Sequence, residues 1–179
     1  MKREKLFYGA AFALLAAALV AALWYKRPLN IRQVTGITEP EEISVTILRR
    51  NADMDLEQRD LTLSAGDEGF DALLARLEEI EFRRPPTNLI RMALPFLPES
   101  AETKETEDGD FENLYLLLSA PTESGEWVGG LVSFWVDQWQ YRDFDREVTL
   151  DLAVTDSKAT GQALCAQLWE KAQPIESES

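Results

Sequence analysis

Acidic residues crowd one stretch of this chain closely enough to suggest a metal site. Five carboxylates surround Gly109: Glu105, Glu107, Asp108, Asp110 and Glu112. Hard oxygen ligands of this kind suit Ca²⁺, but the EF-hand loop alternates its ligands and has a glutamate at its twelfth position. The spacing here does not match that loop. We therefore interpret the stretch as a solvated acidic loop and assign no metal-binding residue.

A second acidic set could supply paired carboxylates for hydrolysis. It comprises Asp137, Asp143, Asp145 and Asp151. Glycosidases use two carboxyl groups, one of which has its pKa raised by an apolar pocket. Turn formation already accounts for Asp137 and Asp145, because aspartate side chains stabilise turns. A hydrolase acting on envelope polymer is therefore the alternative function, and no residue is assigned as catalytic.

Two residue types that dominate enzyme and metal sites are scarce in this sequence. Histidine is absent, and Cys165 is the single cysteine. These counts exclude Ser-His and Cys-His nucleophile pairs, His-ligated zinc and cysteine-rich metal centres. They also exclude a disulfide within the sequence, so the core alone must stabilise the fold. We predict no cofactor and interpret Cys165 as a small buried residue of a helix.

Aromatic residues offer a binding surface instead. Six of them lie within eighteen residues: Trp127, Phe134, Trp135, Trp139, Tyr141 and Phe144. Strand alternation puts Trp127 and Trp135 on one face, whereas Trp139 and Tyr141 share a face of the next strand. If helices cover one side of the sheet only, one set is exposed to a protein, peptide or glycan partner. The candidate partner-binding residues are Trp127, Trp135, Trp139 and Tyr141, and the alternative is that they fill the core.

Alternating hydrophobicity predicts the strands that would position these residues. Ile43, Val45 and Ile47 alternate with polar neighbours, and residues 59–64 alternate again, which indicates a hairpin. Residues 81–84 indicate a short strand or extended segment before a proline pair. Further strand patterns follow between residues 111 and 154, separated by turn residues.

Two amphipathic helices complete the predicted domain. Residues 67–80 repeat apolar side chains at helical spacing, with charged residues on the opposite face. The second helix begins at Asp156 or Ser157, and Pro174 ends it. Strands grouped together with separate helices predict an α+β fold, with two helices packed on an antiparallel sheet over residues 42–173.

The most apolar segment of the chain precedes this domain. Residues 6–25 carry no charge, and at about 1.5 Å per residue they span about 30 Å, the thickness of a bilayer core. Trp24 and Tyr25 lie where aromatic side chains meet the membrane interface. We predict an N-terminal transmembrane helix that acts as an uncleaved signal anchor. The alternative is a signal peptide cleaved near Ala22, which would leave a secreted protein.

This anchor implies an arrangement for the whole chain. We expect residues 1–5 in the cytoplasm, residues 26–41 as a juxtamembrane linker, and residues 174–179 as an acidic tail. The flanking basic residues are balanced, so orientation rests on the long domain being translocated behind the anchor. We therefore predict a single-pass protein of the cell membrane with its C-terminal domain outside.

The predicted domain is strongly acidic. Residues 36–179 carry 12 basic and 31 acidic side chains, a net charge of −19. Nucleic acid is excluded as a partner because phosphate binding needs a basic surface. The same charge disfavours docking onto anionic lipid headgroups, so we expect the domain to stand off from the membrane.

The order of motifs resembles that of a known group of proteins. A hairpin leads into a helix with LLARLEEIEFRR, GDF opens a strand, and a meander holds WQYRDFDREVTLDL before a C-terminal helix. Over residues 38–172 this order is similar to that of small uncharacterised membrane-anchored or lipoprotein-type extracytoplasmic proteins of Gram-positive bacteria. The resemblance implies no activity and no functional residues. The predicted function is an interaction or sensing module at the cell envelope.

Overall fold

The computed structural model describes residues 2–51, 55–88, 111–144 and 148–174, without the side chains of residues 2–11, 143 and 148. Its helices are α1 Lys2–Tyr25, α2 Ile31–Thr35, α3 Phe70–Glu78 and α4 Ser157–Trp169. Its strands are β1 Glu42–Arg50, β2 Leu56–Ser64, β3 Phe82–Arg83, β4 Phe111–Pro121, β5 Trp127–Trp135, β6 Gln138–Asp143, β7 Val148–Val154 and β8 Gln173–Pro174. The predicted α+β class with an antiparallel sheet is confirmed.

The strands form one eight-stranded antiparallel sheet. Their order is β3-β7-β6-β5-β4-β1-β2-β8, so β4 to β7 form a meander and β1 inserts beside β4. The predicted hairpin is confirmed, because Val45 of β1 pairs with Leu61 of β2. β3 and β8 lie at opposite edges of the sheet.

One face of the sheet carries the core. Successive strands bring apolar side chains into one row, in which Val45 lies opposite Leu116, and Leu116 lies opposite Val132. In a second row beside the first, Leu114 lies opposite Phe134, and Phe134 lies opposite Trp139. Since side chains alternate along each strand, the intervening residues point to the other, more polar face.

Helices α2 and α4 pack on the apolar face, and α3 packs against α2. The buried residues of α3 are Phe70, Leu73, Leu74 and Leu77, and those of α4 are Gly161, Leu164, Cys165, Leu168 and Trp169. α3 begins later than residue 67, because Asp67 closes a turn: its carboxylate accepts the Ser64 backbone N–H at 2.7 Å. Gly69, with a φ of 94°, then caps the helix. α4 begins at the predicted residue.

The predicted linker over residues 26–41 belongs largely to the domain instead. Leu29, Ile31, Val34 and Ile37 are buried in the core. α2 begins with a capping box in which the Asn30 side chain accepts the Gln33 N–H and the Gln33 side chain accepts the Asn30 N–H. A five-residue helix is too short to show a sustained period, which is why the sequence pattern indicated a connector.

The N-terminal segment is helical over Lys2–Tyr25, but a transmembrane anchor is not confirmed. Within the described residues, no helix meets the length and apolarity needed to cross a membrane. From residue 12 onward the apolar side chains of α1 are exposed, including Phe12, Leu15 and Leu19. Beyond Tyr25 the chain enters the domain within four residues, because Leu29 forms a β-bridge to Phe82.

Candidate functional site

The four candidate aromatic residues do not form one surface. Trp127 and Trp135 are 58% and 45% exposed, Tyr141 is half-buried, and Trp139 is 1% exposed. Trp127 and Trp135 lie on the open face of β5, whereas Trp139 and Tyr141 point to the covered face. The structure thus places Trp127 and Trp135 on one face of the sheet and Trp139 and Tyr141 on the other.

Trp139 is part of the core. Its ring packs edge-on against the Phe82 ring, with the centroids 5.6 Å apart. It also packs at a tilt against the Phe134 ring, with the centroids 5.2 Å apart. Its indole N–H donates to the Ser157 carbonyl at the start of α4, at 3.4 Å. Helix α4 covers this part of the sheet, so Trp139 is not available to a partner.

Trp127 and Tyr141 meet at an open groove of about 840 Å³. We call this site the Trp127 groove. It wraps around the end of β5, so residues from both faces of the sheet contribute to it. Its lining residues are Thr35, Gly36, Ile37, Glu42, Leu117, Ser119, Trp127, Val128, Gly129, Tyr141 and Phe144.

Two glycines allow the chain to build this groove. At Gly130 of β5, an added Cβ would lie 2.5 Å from the Cβ of Thr35, so α2 packs directly on the strand backbone. Gly36 ends α2 in the left-handed region with a φ of 76°, and its N–H donates to the Arg32 carbonyl. This turn brings Ile37 beside the end of β5. Residues 35–37 therefore form one wall of the groove.

Trp127 itself is held at the edge by strand pairing. It lies opposite Pro121 at the last pair of the β4–β5 ladder, where the two strands meet their turn. That turn is closed by the Thr122 N–H, which donates to the Glu126 carbonyl at 2.7 Å. A side chain at this position has few neighbours along the strand. The indole is therefore presented to solvent without disturbing the core.

Among the described residues, a single charged side chain lines the groove. That residue is Glu42, and the Ser44 hydroxyl donates to its carboxylate at 3.3 Å. The Arg142 guanidinium lies just outside the lining, 5.5 Å from the centre of the Phe144 ring. The groove thus combines aromatic surfaces with one carboxylate. This set can hold a cation through ring faces and charge, and the described lining holds no carboxylate pair for acid–base chemistry.

The two described carboxylates among those considered for hydrolysis, Asp137 and Asp151, lie elsewhere. Asp151 accepts from the Gln140 amide at 3.4 Å, and its backbone carbonyl accepts from Asn88. Asp137 lies in the β5–β6 turn, where its carbonyl accepts from the Ser157 hydroxyl. The side chains of Asp143 and Asp145 lie outside the described residues. Neither Asp137 nor Asp151 lines the Trp127 groove.

The acidic stretch weighed for Ca²⁺ lies almost entirely outside the described residues. Its last member, Glu112, forms an ion pair with Arg50 at 2.8 Å. Within the described part of the chain, no group of three or more His, Cys, Asp or Glu is placed to hold a metal ion.

Sequence reasoning named two of the lining residues as candidates and missed most of the others. Phe144 belonged to the aromatic cluster but was not among the selected candidates, and in the structure it directly follows β6. Thr35, Gly36 and Ile37 carried no signal, since their contribution depends on α2 packing against β5. The capping-box pattern Asn30 to Gln33 was the available clue to that helix.

Comparison with known proteins assigns this chain to no family. No protein-family model, curated protein or solved structure matches this chain. The resemblance to membrane-anchored or lipoprotein-type proteins of Gram-positive bacteria stays a prediction.

Proposed function

We propose that this protein is a membrane-attached binding module that holds a basic peptide segment of a partner in the Trp127 groove. One observation carries the proposal: Trp127, Tyr141 and Phe144 border the same open groove as the carboxylate of Glu42. Exposed aromatic side chains around a concave site are typical of ligand-binding surfaces. The residues lie on a sheet, a rigid support that keeps them in place before a ligand binds.

The chemistry of the lining favours a cationic ligand. Lysine and arginine side chains bind to aromatic faces through cation–π attraction, and Glu42 adds an opposite charge. The net charge of −19 over residues 36–179 repels polyanions and attracts basic partners over a longer range. The apolar stems of these side chains would cover Val128 and Ile37.

The apolar segment 6–25 supports attachment to a membrane. Its described part, from residue 12, exposes Leu14, Leu15, Val20 and Leu23 to the surroundings. A helix with apolar side chains on all sides suits lipid better than water. Residues 6–25 together have the length of a bilayer core. We place the domain outside the cytoplasm, at the cell envelope, as expected for a domain translocated behind a signal anchor.

A titration of the full-length protein tests the binding site. The protein, held in nanodiscs of zwitterionic lipid, is titrated with an extended peptide that alternates lysine and threonine, and binding is measured by calorimetry. We expect Trp127→Ala to weaken binding about tenfold, the scale of a lost cation–π contact. Trp135→Ala is the matched control, because Trp135 is exposed on the same strand and outside the groove.

Further titrations test whether the groove prefers a cationic ligand and whether that ligand is a peptide. A peptide with glutamate in place of lysine should not bind, and Glu42→Gln should weaken binding of the lysine peptide. Equal losses in Trp127→Ala and Trp135→Ala, or no binding by the wild-type protein, would overturn the proposed site. Binding of a soluble neutral oligosaccharide in place of the lysine peptide would identify a glycan module instead.

The hydrolase alternative has no comparable support. It requires two carboxylates at one concave site, and in the described part of the chain Glu42 is the single carboxylate that lines the Trp127 groove. We therefore propose a binding function and assign no catalytic residue.

A further inference from the structure

Basic residues converge where the apolar helix α1 enters the acidic domain. Lys26 and Arg27 directly follow α1, Arg83 is the last residue of strand β3, and Arg84 follows it. Leu29 pairs antiparallel with Phe82, so residues 26–28 run beside residues 83–85. We call these four basic residues the junction collar. They come from two distant parts of the chain, and the fold places them together at the end of α1.

Hydrogen bonds hold the junction collar in place. The Leu29 N–H donates to the Phe82 carbonyl at 2.8 Å, and the Phe82 N–H donates to the Leu29 carbonyl at 2.9 Å. Beyond this pair, the Tyr25 hydroxyl donates to the Pro85 carbonyl at 3.2 Å. Leu29 and Phe82 are both buried. The end of α1 is therefore fixed to the domain rather than joined by a free linker.

The cations of the junction collar have few acidic partners. Among the described residues, ion pairing at the collar is confined to Arg83, which lies 3.7 Å from the exposed carboxylate of Glu81. Arg27 lies over the Trp24 ring at 4.8 Å, and Lys26 is exposed. Like charges held side by side repel one another, so a bound anion would stabilise this arrangement.

We propose that the junction collar binds the phosphate groups of anionic phospholipids and seats the domain on the membrane surface. The inference rests on the proposed membrane attachment of α1. Trp24 and Tyr25, next to the collar, are residue types that favour the lipid headgroup region. A collar at the same level meets lipid phosphates directly, and clustered basic residues at the end of a membrane helix recognise anionic lipid.

This placement revises the expectation that the domain stands off from the membrane. That expectation treated the net charge of −19 as uniform and residues 26–41 as a linker. The structure instead places four basic residues beside the end of α1 and buries Leu29, Ile31, Val34 and Ile37 in the core. The acidic remainder of the domain would then face away from the anionic surface, which fixes the orientation of the domain.

Lipid selectivity of the full-length protein tests the proposal. The protein is reconstituted in vesicles that mix anionic phosphatidylglycerol with zwitterionic phosphatidylcholine. In each experiment one of the two lipids carries bromine on its acyl chains. Quenching of Trp24 fluorescence reports which lipid contacts the junction. We expect the wild-type protein to prefer phosphatidylglycerol, and Arg83→Gln with Arg84→Gln to reduce that preference by about fivefold per arginine.

A control double variant removes two positive charges at positions away from the junction collar. Arg142→Gln with Lys171→Gln should retain the preference, because both residues are exposed and lie away from β3: Arg142 pairs with Thr149 at the other end of β7, and Lys171 precedes β8 at the opposite sheet edge. Circular dichroism melts of both double variants check that the domain is folded. Equal loss of preference in the two pairs would overturn the proposal, because it would show a general charge effect.

Vesicle flotation separates this inference from the proposed function. Protein that fails to float with vesicles contradicts membrane attachment, and the inference fails with it. Protein that floats but shows no preference for phosphatidylglycerol contradicts the junction collar alone. Loss of the preference in dissolved inorganic phosphate, but not in chloride of equal ionic strength, would assign the site to free phosphate and overturn the lipid proposal.

Discussion

Thr35 lies directly on the backbone of Gly130. An added Cβ at Gly130 would lie 2.5 Å from the Thr35 Cβ and 2.8 Å from its carbonyl oxygen. The contact joins the C-terminal end of α2 to the central strand β5, and Thr35 also lines the Trp127 groove. A segment predicted as a linker is thus part of both the core and the candidate site.

Gly130→Ala should therefore destabilise the domain. The new methyl group meets backbone atoms that cannot rotate away, and such overpacking costs about 1–3 kcal/mol. Gly129→Ala is a close control, because its nearest neighbour is the flexible side chain of Leu117 at 3.0 Å. Urea unfolding should show a clear loss of free energy of unfolding for Gly130→Ala and a smaller change for Gly129→Ala. Equal changes would contradict the close packing of α2 on β5.

The two tryptophans at the β5–β6 turn should differ strongly in how much stability the domain loses when each is truncated to alanine. Trp139→Ala leaves a cavity beside Phe82 and Phe134 and should cost about 3–5 kcal/mol of unfolding free energy. Trp135→Ala removes a half-exposed ring and should change stability by about 0.5 kcal/mol or less. Chemical denaturation followed by circular dichroism measures both. A large loss in Trp135→Ala would mean that the open face of the sheet is covered.

The contrast between these tryptophans shows how far the sequence could predict the site. Alternation correctly separated Trp135 from Phe134, because adjacent residues of a strand point to opposite faces. It could not tell which face of β5 the helices cover, since β5 is apolar on both sides, with Trp127 and Trp135 on one face and Phe134 on the other. That choice depends on α4, whose Ser157 carbonyl accepts the Trp139 indole N–H. It is therefore a tertiary property.

The elements themselves were more predictable than their assembly. The hairpin β1–β2 and the helices α3 and α4 have clear periods, and the structure contains all three. In contrast, the β-bridge from Leu29 to Phe82 joins residues far apart in sequence, and no local pattern indicates it. The junction collar follows from that bridge. It was hidden because Arg83 and Arg84 appear in sequence as part of a short strand or extended segment before a proline pair.

A charge within the apolar segment tests membrane attachment. Leu15 is exposed on α1, so Leu15→Arg should leave the folded domain intact. At the centre of a bilayer an arginine costs about 2.5–3.5 kcal/mol on insertion scales, so membrane insertion should be impaired. Resistance to alkaline carbonate extraction measures it, with Leu15→Ala as the control. Unchanged extraction of Leu15→Arg would contradict a spanning helix, and a mature N-terminus at Leu23 would establish cleavage.

Cys165 should be unreactive in the native protein. Burial raises the pKa of its thiol to about 12, an effect only partly offset by a backbone hydrogen bond. Thiolate is the reactive form, so at pH 8 a thiol reagent should label native protein far more slowly than urea-unfolded protein. Rapid labelling of the native protein would show that α4 opens readily or that the thiol is exposed.

The same raised pKa makes stability depend on pH. In the unfolded chain the thiol loses its proton near its ordinary pKa of about 8.5, whereas the native thiol keeps it until about pH 12. Between these values the native state binds more protons, so unfolding free energy falls as pH rises, by at most about 1.4 kcal/mol per pH unit for one group. Cys165→Ala lacks this group, and its stability should fall less steeply from pH 9 to pH 11 in urea unfolding. Parallel pH profiles for the two proteins would contradict a buried thiol, whatever the difference in their absolute stability.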